Sequence, residues 1–269
     1  MNAWRKYNGA LIPKHPAHVS INENIGEIKN LISDTGSFFA RWTSDFDIKE
    51  ETEFWHVICD QNLAIEEYSV NTRSKIKRGM KNCSVRMITK QELIKNGYEV
   101  YKEAYLKYKT YNSPTLKSLF VQDIKFLGEE WHFWGVFYEE KLIAYCMSKI
   151  ESTSCNYSTI KFHPKYLRLY SSYALFYTMN CYYLNEMKLK YVNDGTRNLV
   201  HKTNIQDFLI TKFGFRKAYC KLHVQYNVFF KFIVILIYPL RFVFHRFNNR
   251  FAVKINSLLF QEKIRRSFL

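Results

Sequence analysis

Residues 187–226, MKLKYVNDGTRNLVHKTNIQDFLITKFGFRKAYCKLHVQY, restrict the fold more than any other stretch of the chain. Residues 189–192 form a short β-prone run, and Asn193-Asp194-Gly195 closes it with a strong turn signal. A polar loop follows over 196–203. Asn204-Ile205-Gln206-Asp207 then opens an amphipathic helix with Ile205, Phe208, Leu209 and Lys212 at helical spacing and Thr203 as its N-cap. Gly214, between Phe213 and Phe215, ends the helix as a left-handed C′ residue, and residues 216–226 resume as a strand. The order is strand, polar loop, helix ending in Phe-Gly-Phe, strand.

Upstream, residues 4–19 read as an extended, loop-rich entry, and residues 37–42 and 53–59 as strands joined by the acidic connection TSDFDIKEE. Its Asp45 and Asp47 suit a cationic amine, a base, or plain turn formation. Arg73, Lys75, Lys77, Arg78 and Lys81 crowd a helix that ends near Gly79 to Asn82, either as a solvated charge run or as a phosphate site. A short strand, 84–88, and helices over 91–109 and 116–128 follow, the two helices separated at Asn112-Ser113-Pro114. Three consecutive strands, 132–138, 142–150 and 155–162, then lead through His163-Pro164 and Leu167-Arg168-Leu169-Tyr170-Ser171-Ser172 to a core helix over 173–187.

The words KYVNDGTR and FLITKFGFRKAY resemble the C-terminal half of the GNAT-like acyltransferase fold, in particular the branch that contains the FemABX aminoacyltransferases. The basic helix ahead of strand 84–88 is similar to one in that branch and lies in the same order, and the three-strand meander matches the centre of that fold. The resemblance implies an α+β chain: a mixed, mainly antiparallel central sheet flanked by helices over 37–226, an N-terminal extension over 1–36, and an apolar and basic C-terminal segment over 227–269. It also implies acyl transfer from acyl-CoA, acetyl-CoA included, by direct attack of an acceptor amine or hydroxyl, on a small-molecule or a lipid- or sugar-linked acceptor such as a cell-envelope polysaccharide or glycolipid precursor. Aminoacyl transfer from tRNA is the alternative. Asp194 is then the candidate base or the carboxylate that positions the acceptor, Arg197 an anion clamp, His201 an alternative base and Lys202 an electrostatic stabiliser, with Arg168, Tyr170, Ser171 and Ser172 at the donor phosphates. At that turn acyl-CoA enzymes of the family carry glycines, which let backbone N–H groups approach a pyrophosphate. This chain departs from the pattern, with Tyr170 and Ser171 in those places.

With 47% hydrophobic and 24% charged residues, the chain has the material of a folded core rather than of a disordered segment. A net charge of +16 favours an acidic partner: CoA phosphates, nucleotide-sugars, tRNA or an anionic membrane surface. No DNA partner is expected, and a basic nucleic-acid- or membrane-binding protein without catalysis is a second class of reading. The six cysteines include no C-x-x-C pair and no His at zinc spacing, so no metal site is expected; they read as reduced, buried thiols of a cytoplasmic protein. A catalytic cysteine would need a cationic or helix-N-terminal setting. The N-terminus lacks the apolar core of a secretory signal. Residues 228–244 are the most apolar run, yet Lys231, Pro239 and Arg241 interrupt it, and a spanning helix needs ~20 apolar residues. An interfacial segment at the inner face of the cytoplasmic membrane is expected, or else a helix docked on the domain, followed by a tail in which Glu262 is the single acidic residue.

Overall fold

The structure, a computed structural model, describes residues 3–22, 24–61, 63–107, 113–199, 204–244, 246 and 249–268. Its entry is more ordered than a loop. Strands β1 (Trp4–Tyr7) and β2 (Ala10–Pro13) pair antiparallel, because Asn8 and Gly9 both take the positive φ, 50° and 80°, that a two-residue hairpin turn needs. Helix α1 (Ile25–Asp34) starts from a capping box of Asn24 and Glu27 and buries Ile28 and Ile32 against Trp4, Leu11 and Ala40.

Strand β3 (Phe39–Ile48) runs on through the stretch read above as a connection. Asp45 and Asp47 kink it at φ 52° and 64°, and Lys221 sits 2.9 Å from the Asp45 carboxylate, holding that carboxyl below its usual range. Strand β4 (Phe54–Cys59) is followed by α2 (Val70–Asn82), β5 (Ser84–Ile88), α3 (Lys90–Leu106) and α4 (Lys117–Lys125). Ser69 caps α2, and a Thr89–Glu92 capping box starts α3. The meander is β6 (Trp131–Tyr138), β7 (Lys141–Glu151) and β8 (Ser154–Phe162), with Glu139 and Glu140 both left-handed in the first hairpin turn. A 3₁₀ turn, Pro164–Leu169, enters α5 (Ser171–Asn180), which continues as a π-helical turn, Cys181–Glu186.

Strand β9 (Tyr191–Thr196) contains Asn193, Asp194 and Gly195, so the expected turn is strand instead. The turn-forming chemistry is spent locally: the Asn193 side chain accepts from Gly195 N at 2.9 Å, and Gly195 takes φ 101°. Helix α6 (Ile205–Phe213) ends at Gly214, left-handed at φ 70°, and β10 (Arg216–Tyr226) follows. Thr203, expected to cap α6, lies outside the described residues. Last come α7 (Val228–Ile237), α8 (Arg241–Phe244) and α9 (Arg250–Arg266). No helix among the described residues is long and apolar enough to cross a membrane.

The chain forms two compact units. The first unites residues 1–56, 196–203 and 217–269, with strands in the order β1-β2-β3-β10 and helices α1 and α7 to α9. It therefore draws on all three segments distinguished in the sequence, and its β3–β10 register sets Phe39 opposite Tyr226. Leu222, Phe54, Cys220 and Ile264 of α9 make its core, while the buried Glu262 pairs with Arg265 and Arg266 and accepts from Tyr226 Oη at 2.9 Å. The second unit, residues 57–195 and 204–216, orders its strands β9-β8-β7-β6-β5. Leu93 and Val100 of α3 pack with Phe120 and Ile124 of α4 on Phe133, Leu142 and Tyr145. The described pairs are antiparallel apart from β2–β3 and β8–β9, making an α+β fold with a mixed sheet.

Candidate active site

In the second unit β8 and β9 run parallel for only three residue pairs, Ser154 opposite Tyr191, Cys155 opposite Val192 and Asn156 opposite Asn193. The pairing stops there, whereas β8 goes on to Phe162 beside β7. The Asn193 Nδ2 donates to Asn156 Oδ1 at 2.8 Å at the last pair, so two amide side chains mark where the strands part. One residue further, the β7–β8 register slips between Ser148 opposite Tyr157 and Met147 opposite Thr159, leaving the exposed Ser158 as an extra residue. Such bulges redirect a strand and free its backbone groups. Nothing in the amino-acid pattern announced this one.

Asp194 follows the divergence on β9. Its side chain is half-buried, and the loss of water around the carboxyl pushes it up to about 7, while a hydrogen bond with the Gln206 side chain near the start of α6 opposes that rise. A carboxylate that exchanges its proton near neutrality, beside an opening between strands, is equipped to act as a base. Asp194 also acts on the Cys146 thiol, which burial pushes up to about 12; burial does the same at Cys59 and Cys220. These cysteines stay protonated and are poor nucleophiles. Cys59, Cys83, Cys146, Cys155 and Cys220 are free, buried thiols, and among the described residues no cluster of His, Cys, Asp or Glu is placed to hold a metal.

The same unit holds a set of mostly buried polar side chains bonded to one another. Tyr157 Oη donates to Asn180 Oδ1 at 2.8 Å, Trp134 Nε1 donates to Tyr183 Oη at 2.9 Å, and Tyr183 Oη lies 3.4 Å from His132 Nδ1. Among the described residues the Asn180 Nδ2 has no hydrogen-bond partner. Nothing in the sequence marked out Gln206, the side chain that meets Asp194, and Tyr157 and Tyr183 are two of 20 tyrosines, with no spacing that separates them from core residues.

At the turn into α5 Tyr170 adopts φ 61°, the left-handed backbone that glycine ordinarily supplies. Its N–H donates to Leu167 O, and its carbonyl accepts from Tyr173 and Ala174 N, so Ser171 and Ser172 contribute the first backbone N–H groups of α5. Ser171 is buried and Arg168 exposed. The glycine that permits close packing here comes from another helix: a Cβ on Gly79 of α2 would lie 2.5 Å from Tyr170 O. Lys75 of α2 holds its ammonium 5.5 Å from the Tyr173 ring centroid. Arg73, Lys77, Arg78 and Lys81 line a shallow groove of about 360 Å³ with Val70 and Ser74. Among the described residues none of these four cations joins an ion pair.

A line of contacts connects the two halves of the candidate site. Asp194 meets Gln206 of α6, and Phe208 of α6 meets Tyr173 of α5 edge-on at 5.1 Å, three residues after Tyr170. Arg197 belongs to the first unit and is engaged there: its Nη1 donates to the Glu53 carbonyl at 2.6 Å and carboxylate at 2.7 Å, and its guanidinium lies over Trp55 and Phe260 at 4.4 and 4.9 Å. Service as an anion clamp would require release of that pair. His201 and Lys202 lie outside the described residues.

No family model and no curated protein matches the sequence. Solved structures do match: the C-terminal domain of a protein classed as a lysylphosphatidylglycerol synthetase, from Agrobacterium fabrum, aligns over 86% of this chain and 82% of its own at 10% identity, with TM-score 0.52. The chain shares the α+β fold of that domain. FemX (TM-score 0.49, 10% identity, 74% of this chain and 68% of its own) and a lysylphosphatidylglycerol synthetase from Bacillus licheniformis (TM-score 0.47, 12% identity, 83% and 79%) also align. Within this fold the pairing of β8 and β9 ends one residue before Asp194, whose carboxyl is raised to about 7.

Proposed function

We propose that the chain is an acyltransferase in which an acceptor amine or hydroxyl attacks an activated acyl carbonyl held where β8 and β9 separate. The observation that carries the reading is Asp194, half-buried at that opening with its carboxyl raised to about 7. The attacking nitrogen or oxygen forms a bond to the carbonyl carbon and passes its proton to Asp194; the carbon–sulfur bond of a thioester then breaks, and the thiolate leaves and is protonated. Backbone N–H groups of β8 beyond Asn156 are suited to hold the developing oxyanion. Arg168 and the N–H groups of Ser171 and Ser172 are assigned to the donor phosphates, helped by the positive end of α5. The acceptor in this reading is a cell-envelope polysaccharide or glycolipid precursor reached from the inner face of the membrane.

A second reading, aminoacyl transfer from tRNA, is favoured by two observations: no glycine lies in the donor turn, and the α2 cations have no ion-pair partners among the described residues. Calorimetry with acetyl-CoA, with acyl-CoA of longer chain and with aminoacyl-tRNA separates the two, beside an assay of thiol release. Binding of CoA thioesters with thiol release supports the first. Binding of charged tRNA alone, weakening with salt by about 0.7 to 0.9 log unit per log unit of salt for each phosphate contact, moves the donor to the second. Binding of neither removes the transferase reading.

A further inference from the structure

Helix α7 packs one face on the first unit and leaves the other exposed among the described residues. Asn227 caps it by accepting from Phe230 N at 2.7 Å, Phe230 stacks at 5.2 Å on Phe38 and 6.2 Å on Phe39, and Val234 is 1% exposed, so its orientation is set. The opposite side presents Val228, Phe229, Phe232, Ile235 and Leu236, of which Phe229 is 76% and Leu236 72% exposed. At about 100° per residue these five side chains cover an arc of roughly 120° that contains no charge. The outward face of a helix on a water-soluble protein is normally its polar one. The apolar surface continues through the exposed Leu240, Phe242 and Val243.

We propose that this face of α7 and α8 docks on a lipid bilayer rich in anionic headgroups. Lys231 stands on α7 at the edge of the apolar arc, the Arg241 guanidinium lies 4.2 Å from the Phe242 ring centroid, and Arg246 is exposed. Glu262 is the single Asp or Glu from residue 227 to the end, and it is buried and occupied by Arg265 and Arg266. The surface therefore combines apolar side chains with uncompensated positive charge, the combination an interfacial segment uses: rings and aliphatic chains enter the headgroup and acyl boundary while the cations remain at the phosphates. A second copy of the chain fits the face poorly, because a two-fold contact would set these cations against their own kind. No helix among the described residues is long and apolar enough to span a bilayer. The surface deepens the transferase reading by placing the acceptor on a membrane, and it rests on that reading for the acceptor alone; its test reads binding, not turnover, so either can fail without the other.

The full chain is mixed with vesicles of phosphatidylcholine, or of phosphatidylcholine with 30% phosphatidylglycerol, at 0.1 and 0.5 M NaCl, and sedimented. Binding to the anionic vesicles should exceed binding to the neutral ones by about tenfold or more and weaken at the higher salt. The triple variant Phe229→Ser, Phe232→Ser, Leu236→Ser should lower binding at least about thirtyfold while its melting temperature holds, since these side chains lie on the exposed arc. Lys231→Glu with Arg246→Glu should abolish the preference for anionic lipid and leave melting unchanged. Equal binding by the wild type and the triple variant overturns the proposal. So does a wild type that ignores vesicles, whether it stays monomeric in sedimentation velocity or self-associates through a contact that the triple variant loses.

Discussion

In the second unit the Asp194 side chain meets Gln206, and burial pushes its carboxyl up to about 7; in the first unit neither ring nitrogen of His56 is hydrogen-bonded among the described residues, and burial pushes its imidazole down to about 4, with the Arg41 charge adding to the effect. The same force acts on both, since a dry setting favours whichever form is neutral. The consequences diverge because the starting values differ. Asp194 arrives at the pH where a proton moves readily in either direction, while His56 stays a neutral imidazole at any pH near 7. Arg41, bound to Gln261 Oε1 at 3.2 Å, makes a second proton at His56 more costly still. Dryness alone therefore does not mark an active group; dryness that brings a group's titration to neutrality beside an opening does.

The most direct way to break this contrast is Asp194→Asn. If Asp194 is the base, turnover should drop by roughly a hundredfold to ten-thousandfold with the circular dichroism spectrum unchanged. Turnover within threefold of wild type would leave Asp194 as no more than a buried carboxyl. The next effect is on stability. Between about pH 4 and 7 the folded state holds the Asp194 proton that the unfolded state has released, so the wild type loses stability as pH rises through that window, by about 4 kcal/mol at most, whereas the Asn variant does not. Denaturation midpoints at pH 5 and pH 8 for both proteins measure it; parallel curves would place the Asp194 pKa near that of an ordinary aspartate.

His56 should give the mirror image. Below about pH 6.5 the unfolded chain takes up a proton that the folded one accepts only near pH 4, so stability falls as the solution is acidified, by about 3 kcal/mol. His56→Leu should flatten the acid side of the stability curve while leaving catalysis at pH 7 untouched. The smallest expected effect is at Gln206→Leu. Losing the hydrogen bond that restrains Asp194 should move the acid limb of the pH–rate profile to higher pH by less than about one unit. A shift in the other direction would mean that Gln206 stabilises the protonated carboxyl.

Much of the local structure was legible because it depends on near neighbours in the chain. The 84–88 strand, the three-strand meander, the helix ending at Gly214 and the 216–226 strand are all present. The errors have a common origin in tertiary structure. Asn193-Asp194-Gly195 carries a strong turn signal, yet Asn156 on a neighbouring strand engages Asn193 and the segment is strand. The acidic run after Trp42 reads as a connection, yet Lys221 on β10 pairs with Asp45 and the run is part of β3. The entry reads as loop, yet β2 pairs with β3 through Ala10 opposite Phe39 and Leu11 opposite Ala40. At the candidate site Asp194 was visible as a residue type at a strand end; its raised titration was not, because desolvation is a property of everything packed around it.

Composition and order by themselves determined a basic, aromatic-rich α+β chain with a central meander, a helix stopped by glycine and an apolar, cationic C-terminal segment, because periodicity, turn chemistry and charge are written residue by residue. Tertiary structure alone decided that β8 and β9 part after three pairs, that Gly79 lets one helix reach the carbonyl of Tyr170, and that the apolar side of α7 is left uncovered. Those three outcomes depend on which distant segments meet, and no window of sequence contains both partners.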